Sequence, residues 1–296
     1  MAMELTCRAF GLNIASDFDL NIEKIQTENP DLRIKKASFH LPSTEKTKVF
    51  RADNQAEIAI TPEFVYLYWP QMVSFRITEQ SIDYQSESKL PDGLLRVFIL
   101  SEAIGIVLFL KGYFLLHGSA VEINRHSTVF LGLPGAGKST TVAAYAVKGY
   151  PIFSDDLVAI ELENSLPKVI RAFSEIKIWK DTAQLLGLDT QSLQPAWEGK
   201  EKYILKPAEN QDINEKSEVD KIVILRKPFS RIKGEIEGFG KITTLISYFP
   251  LPHQLLSGAR HQQYFQLAAT LSQTLPLFYK PRPKTIKALL RSIKNR

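Results

Sequence analysis

The sequence predicts an α/β chain in two parts, a small β-rich domain over residues 1–90 and a larger α/β domain over residues 91–296. Three observations carry this prediction: short alternating strands before residue 84, an unbroken Gly-x-x-x-x-Gly-Lys-Ser run at residues 132–139, and a strand, loop, helix, strand order around that run. With 296 residues the chain can build two cores. Apolar residues make up 44% and charged residues 23%, the balance of a globular protein and not of a disordered one. Cys7 is the single cysteine, so no internal disulfide can form, and the first residues lack a basic-then-apolar secretory pattern. A cytoplasmic setting is the expectation.

In the β-rich part, EIAI, FVYLYW and VSFRI read as strands, interrupted by Pro62, Pro70 and a turn at Glu79, Gln80 and Ser81. The boundary is expected near residue 90, in the polar stretch SESKLPDG. The apolar run LLRVFILSEAIGIVLFL contains Arg96 and Glu102 and falls short of the roughly 20 residues a membrane helix needs. It reads as a buried helix with Asp92 as N-cap and Lys111-Gly112 closing it, so no transmembrane segment is expected.

In the larger part, FLLHGSAVEI and STVFLGL read as a hairpin closed around Arg125-His126. TTVAAYAVKG reads as a helix ended by Gly149, and PIFSDD as the next strand. KIVILR and RIKGEIE follow as strands, residues 210–218 as a charged loop, residues 259–274 as a helix and PLFYK as a last strand. Beyond Tyr279 the tail has seven basic residues and no acidic one, yet Ile286, Leu289, Leu290 and Ile293 share one helical face. That tail reads as a solvated helix packed on the domain. With a net charge of only +5, no nucleic-acid partner is expected.

The chemistry begins at the glycine-rich run. Gly132, Leu133, Pro134, Gly135, Ala136, Gly137, Lys138, Ser139 and Thr140 lie between a strand and a helix, the setting in which this pattern binds phosphate. Glycines let successive backbone N–H groups curl around phosphate oxygens, and the helix N-terminus adds partial positive charge. Lys138 is then expected to reach the β and γ phosphates of a nucleotide, and the Ser139 hydroxyl to hold Mg²⁺. Ser154-Asp155-Asp156 ends the following strand, where a carboxylate can hold Mg²⁺ or take a proton from a nucleophile. Strand alternation sends the two aspartates to opposite faces, so one of them is expected to point at the nucleotide. The hairpin register puts His117 opposite Pro134, at the mouth of the loop, with its imidazole near transferring phosphate.

The order LLHGSAV, GLPGAGKST, KGYPIFSDD over residues 115–160 resembles the catalytic core of the bacterial HPr kinase/phosphorylase family, whose nucleotide fold is related to that of phosphoenolpyruvate carboxykinase. The resemblance implies a P-loop domain of that α/β class after the β-rich domain, with ATP and Mg²⁺ as cofactors. It also implies roles: Lys138 grips phosphate, Ser139 binds Mg²⁺, Asp156 accepts the proton of the hydroxyl being phosphorylated and is a candidate Mg²⁺ ligand as well, and His117 lies beside the transferred phosphate. Glu175 in SEIKIW is the nearest candidate for a family Mg²⁺-binding glutamate, although the glycines that follow in the family are missing. Lys-Ser-Thr-Thr stands where the family has Lys-Ser-Glu-Thr.

CRAFGLNIAS, the β-rich front part and LFYKPRP are similar to segments of HPr-kinase-related proteins, some associated with the maturation of ribosomal peptides such as lasso peptides. The implied reaction is phosphorylation of a serine hydroxyl on a protein or precursor peptide, by a chain whose relatives are often homo-oligomers. A small-molecule kinase and a nucleotide-binding regulatory or assembly protein without transfer are the alternatives.

Overall fold

The computed structural model describes residues 4–51, 54–86, 90–173, 175–197, 201–207 and 214–294. Residues 87–89 of the expected boundary and 210–213 of the expected charged loop lie outside the described residues. The chain divides into two compact units, Met1–Tyr113 with Leu251–Tyr264 and Phe114–Pro250 with Phe265–Arg296. The helix Asp92–Leu110 thus belongs to the first unit, and the division falls after it; the sequence reading placed a boundary near residue 90.

Packing explains that placement. The first unit holds an eight-stranded sheet in the order Leu5–Ala9, Leu12–Ser16, Leu32–Lys36, Ser81–Ser86, Val73–Ile77, Val65–Trp69, Asn54–Ile60, Thr47–Arg51. Trp69 on that sheet meets Phe98 of the helix with ring centroids 4.4 Å apart, and both are fully buried. Glu102, 5% exposed, is ion-paired with Arg51 at 2.7 Å, so the one acid buried in the helix has its partner on a strand. By length and composition this helix is, among the described residues, the one that could cross a membrane, but 78% of its apolar window is buried inside the protein. Its interior contains a π turn, Ile99–Ala103. Pro91, not Asp92, is the N-cap, because the Pro91 carbonyl accepts from both Leu94 and Leu95 while Asp92 sits in the first turn.

The second unit is organised around the strand His126–Leu131. It pairs antiparallel with Phe114–Ile123 and parallel with Lys216–Arg226, which in turn lies parallel to Leu277–Pro281. Leu157–Glu163 and Leu166–Ile170 connect the other flanks of Phe114–Ile123 and Lys216–Arg226, so the pairings close on themselves. The hairpin turn is Asn124-Arg125, both at positive φ (55° and 66°), instead of the expected Arg125-His126. A two-residue turn of that kind matches the twist of its strands and shifts the register: Leu131 faces Gly118, placing His117 beside Gly132 and not Pro134. RIKGEIE contributes only the two-residue edge strand Gly234–Glu235, whereas KIVILR is the end of an eleven-residue strand. The three mutually parallel strands have their carboxyl ends on one side, where the chain continues as Gly132, Lys227 and Arg282. Open parallel sheets bind ligands on that side.

The tail forms the helix Ile286–Ser292, capped by the Thr285 hydroxyl accepting from Ala288 N–H at 3.1 Å. Leu289 and Ile293 are buried in a cluster with Val142, Ala143 and Ala144 of the helix Lys138–Val147, and Ile286 and Leu290 pack against it. A short basic helix would not hold alone in water; its four apolar side chains anchor it.

Candidate phosphate-binding site

The run predicted from sequence forms the connection between the strand ending at Leu131 and the helix starting at Lys138. Ala136 N–H donates to the Leu133 carbonyl at 2.9 Å, which turns the chain, and Gly137 caps the helix with φ of +96°. A side chain at Gly137 would be strained by that φ, and its Cβ would lie 2.9 Å from Cδ of Arg282. At Gly132, a Cβ would come 2.8 Å from that of Ala136 and 3.0 Å from the Leu225 carbonyl oxygen. Close approach therefore explains both glycines. Leu133, Pro134 and Gly135 form the exposed crest, with the first helical amides, from Lys138 through Thr140, lacking intrahelical acceptors beneath it.

Lys138 is only 8% exposed, and its ammonium donates to the Gly132 carbonyl at 2.7 Å. Burial pulls its pKa down, while the charges of Asp156 and Asp155 push it back up. Ser139 turns its hydroxyl to Asp155, donating to Oδ1 at 3.3 Å; the Ser119 hydroxyl donates to the same oxygen at 2.5 Å, and Lys177 N–H to Oδ2 at 3.3 Å. Thr140 Oγ1 is 3.3 Å from Thr182 Oγ1.

The two aspartates differ because the chain bends between them. The strand stops at Ser154, and Asp156 adopts φ of +69° before the strand Leu157–Glu163 begins, so a bend, not strand alternation, separates the side chains. Asp155 is half-buried with its carboxylate taken up by the donors on Ser119, Ser139 and Lys177, whereas the side chain of Asp156 is 46% exposed and lies 3.8 Å from the Lys177 ammonium. The Asp156 carbonyl accepts from Gly118 N–H at 3.3 Å and lies 3.1 Å from His117 Nδ1. His117 N–H donates to the Tyr248 carbonyl at 2.7 Å. His117, Lys138, Ser139, Asp155 and Asp156 are therefore joined at one end of the sheet. Glu175 is placed differently: its carboxylate, 8% exposed, lies 3.6 Å from the Lys206 ammonium.

Sequence reasoning overlooked Ser119, Lys177 and the hydrogen-bonded role of Asp155. Ser119 was detectable, since it stands two residues after His117 on one strand and thus on the same face. Lys177 comes from the separate three-stranded sheet of Ile176–Trp179, Lys202–Leu205 and Gln194–Pro195, and nothing local announces it. No group of three or more His, Cys, Asp or Glu side chains suited to a metal occurs among the described residues. One carboxylate beside one hydroxyl nevertheless fits Mg²⁺, which keeps several waters and takes its remaining oxygens from substrate phosphates.

Burial raises the pKa of Asp155 from 3.8 to about 7, and the neighbouring charge of Asp156 adds to the rise against the hydrogen bonds from Ser119, Lys177 and Ser139. Between these two pKa values the folded state binds more protons than the unfolded one, so stability falls as pH rises through that window. In the presence of a chelator, the wild type is expected to lose on the order of a few kcal/mol of stability relative to Asp155→Asn between about pH 5 and about pH 8, read as a falling thermal midpoint. Parallel midpoint curves for the two proteins would contradict this.

No protein-family profile and no curated protein match the chain. Among solved structures it is similar to the HPr(Ser) kinase/phosphatase from Coxiella burnetii, at 15% identity over 60% of this chain and 94% of that chain, with a TM-score of 0.31. A likeness at that score carries no argument about activity.

Proposed function

We propose that this protein is an ATP- and Mg²⁺-dependent phosphotransferase that phosphorylates a serine hydroxyl of a protein or precursor peptide in the cytoplasm. One observation carries the reading: a loop whose Lys138 and Ser139 share their surroundings with two aspartates, Asp155 hydrogen-bonded to Ser139 and Asp156 half-exposed. A loop that only held a nucleotide would need the amides and the lysine; a half-exposed carboxylate next to them suits proton transfer.

The division of labour follows from the hydrogen bonds: Asp155 is held by Ser119, Ser139 and Lys177, and the carboxylate of Asp156 is half-exposed. Ser139 and Asp155 would hold Mg²⁺, which supplies charge neutralisation between the β and γ phosphates when bound. Lys138 and the amides of the helix N-terminus bind the phosphate oxygens and place the γ-phosphorus in line with the acceptor. Asp156 accepts the proton of the serine hydroxyl as its oxygen bonds to the γ-phosphorus; the bond from that phosphorus to the bridging oxygen breaks, and ADP leaves. His117 orients this carboxylate through its contact with the Asp156 carbonyl. The serine acceptor and the peptide class extend the resemblance described above and rest on it.

The test is incubation of the full chain with γ-labelled ATP, Mg²⁺ and candidate proteins and peptides, read by mass spectrometry. A phosphoserine on one acceptor, formed only with Mg²⁺, is the expected result. Tight ATP binding with no label transferred to any acceptor would favour a regulatory nucleotide-binding protein, and label on a metabolite would favour a small-molecule kinase.

A further inference from the structure

The C-terminal segment brings a second cation to the phosphate loop. Arg282 follows the strand Leu277–Pro281, which lies parallel to Lys216–Arg226, and its backbone N–H donates to the Arg226 carbonyl at 2.9 Å. Its position is thereby fixed at the end of the sheet where the phosphate loop begins. Its stem runs along Gly137: a Cβ there would be 2.9 Å from Arg282 Cδ and 3.4 Å from Nε. Arg282 Nε is buried and has no hydrogen-bond partner among the described residues. A guanidinium cannot shed its proton, and a buried donor without an acceptor is costly to keep. Nearby Arg226 is engaged elsewhere, its guanidinium lying over the Tyr279 ring at 4.8 Å.

We infer that Arg282 is a nucleotide-binding residue whose guanidinium donates to a phosphate oxygen of the triphosphate held by the loop. The inference rests on the nucleotide-binding part of the function proposed above and adds to it a residue distant in sequence. The loop surroundings favour an anion over any other acceptor. Gly137 precedes the first helical amides, Lys138 adds positive charge, and an arginine fork matches phosphate oxygens in pairs. The contact also gives the glycine at position 137 a second reason, since any side chain would displace the arginine stem.

Arg282→Gln keeps most of the stem packed on Gly137 and removes the charge. Calorimetry on the full chain with Mg²⁺ plus ATP, and separately with inorganic triphosphate, is expected to show binding about 10- to 100-fold weaker in this variant for both ligands. The thermal midpoint without ligand should stay close to that of the wild type, and Arg282→Lys should recover part of the affinity, results that a purely structural role would not produce. Wild-type affinity of Arg282→Gln for both ligands would overturn the contact and leave the phosphotransferase reading intact. Should Arg282→Gln fail to fold, the Nε–H resonance of Arg282 in the wild type, assigned by its loss in Arg282→Lys, decides the matter: a shift on adding triphosphate supports the contact, and an unmoved signal overturns it. A wild type that binds neither ligand overturns both readings. Weakened binding in Arg282→Gln together with a wild type that transfers no phosphate supports Arg282 and removes only the transfer step.

Discussion

Asp156→Asn is expected to lower phosphoryl transfer by about 10²- to 10⁴-fold while leaving ATP affinity within a few-fold of wild type. Asparagine has the size of aspartate but cannot accept the proton. It also tolerates the positive φ of 69° at this position, so the bend that the backbone makes here should survive. The carbonyl that faces His117 and Gly118 is unchanged by the substitution. The lost ion pair with Lys177 spans 3.8 Å at a half-exposed carboxylate and contributes little to stability. Asp155→Asn should behave differently, because its carboxylate holds the Ser139 hydroxyl. Its expected signature is loss of Mg²⁺-dependent ATP affinity together with rate. Single-turnover transfer and calorimetry on both variants separate the roles: full transfer by Asp156→Asn ends its assignment as the base, and a rate loss in Asp155→Asn without any loss of affinity would move the base to Asp155.

The loop itself was legible because all of its determinants are local: a strand, glycines where no Cβ fits, and a lysine opening a helix. The pairing of Asp155 with Ser139 was not legible, because strand alternation assigns faces only while a strand continues, and here the chain turns at Asp156. The hairpin register expected for His117 differs by two residues from the one the strands adopt, because Asn124-Arg125 takes positive φ without the glycine that usually signals such a turn. The helix Asp92–Leu110 was recognisable as buried from Arg96 and Glu102, yet which sheet it covers depends on long-range partners, Arg51 for Glu102 and Trp69 for Phe98. Arg282 and Lys177 reach the site from strands far along the chain, through pairings that no spacing within the motif reveals.

Lys138→Met should be the most damaging single change at the loop, because the ammonium serves both binding and transfer. Methionine preserves an unbranched stem in the buried position, so the helix Lys138–Val147 should remain folded and the loss should reflect charge. In the ligand-free protein the ammonium donates to the Gly132 carbonyl and sits in the field of Asp156 and Asp155. Incoming triphosphate would exchange that carbonyl for phosphate oxygens whose negative charge grows on the β–γ bridge as the bond breaks. Removing one preorganised donor of this kind costs about 10²- to 10³-fold in rate, and loss of ground-state contact lowers affinity as well. ATP binding by calorimetry should therefore weaken at least tenfold, with single-turnover transfer at saturating ATP falling by about 10²-fold or more. The substitution also removes a cation from beside Asp155, which should raise its pKa further and carry the pH-dependent loss of stability to higher pH than in the wild type. Lys138→Met with unchanged ATP affinity and rate would remove the loop from the site, whatever the behaviour of Asp156, since no other reading of the Gly132–Ser139 turn requires a buried lysine at its helix start.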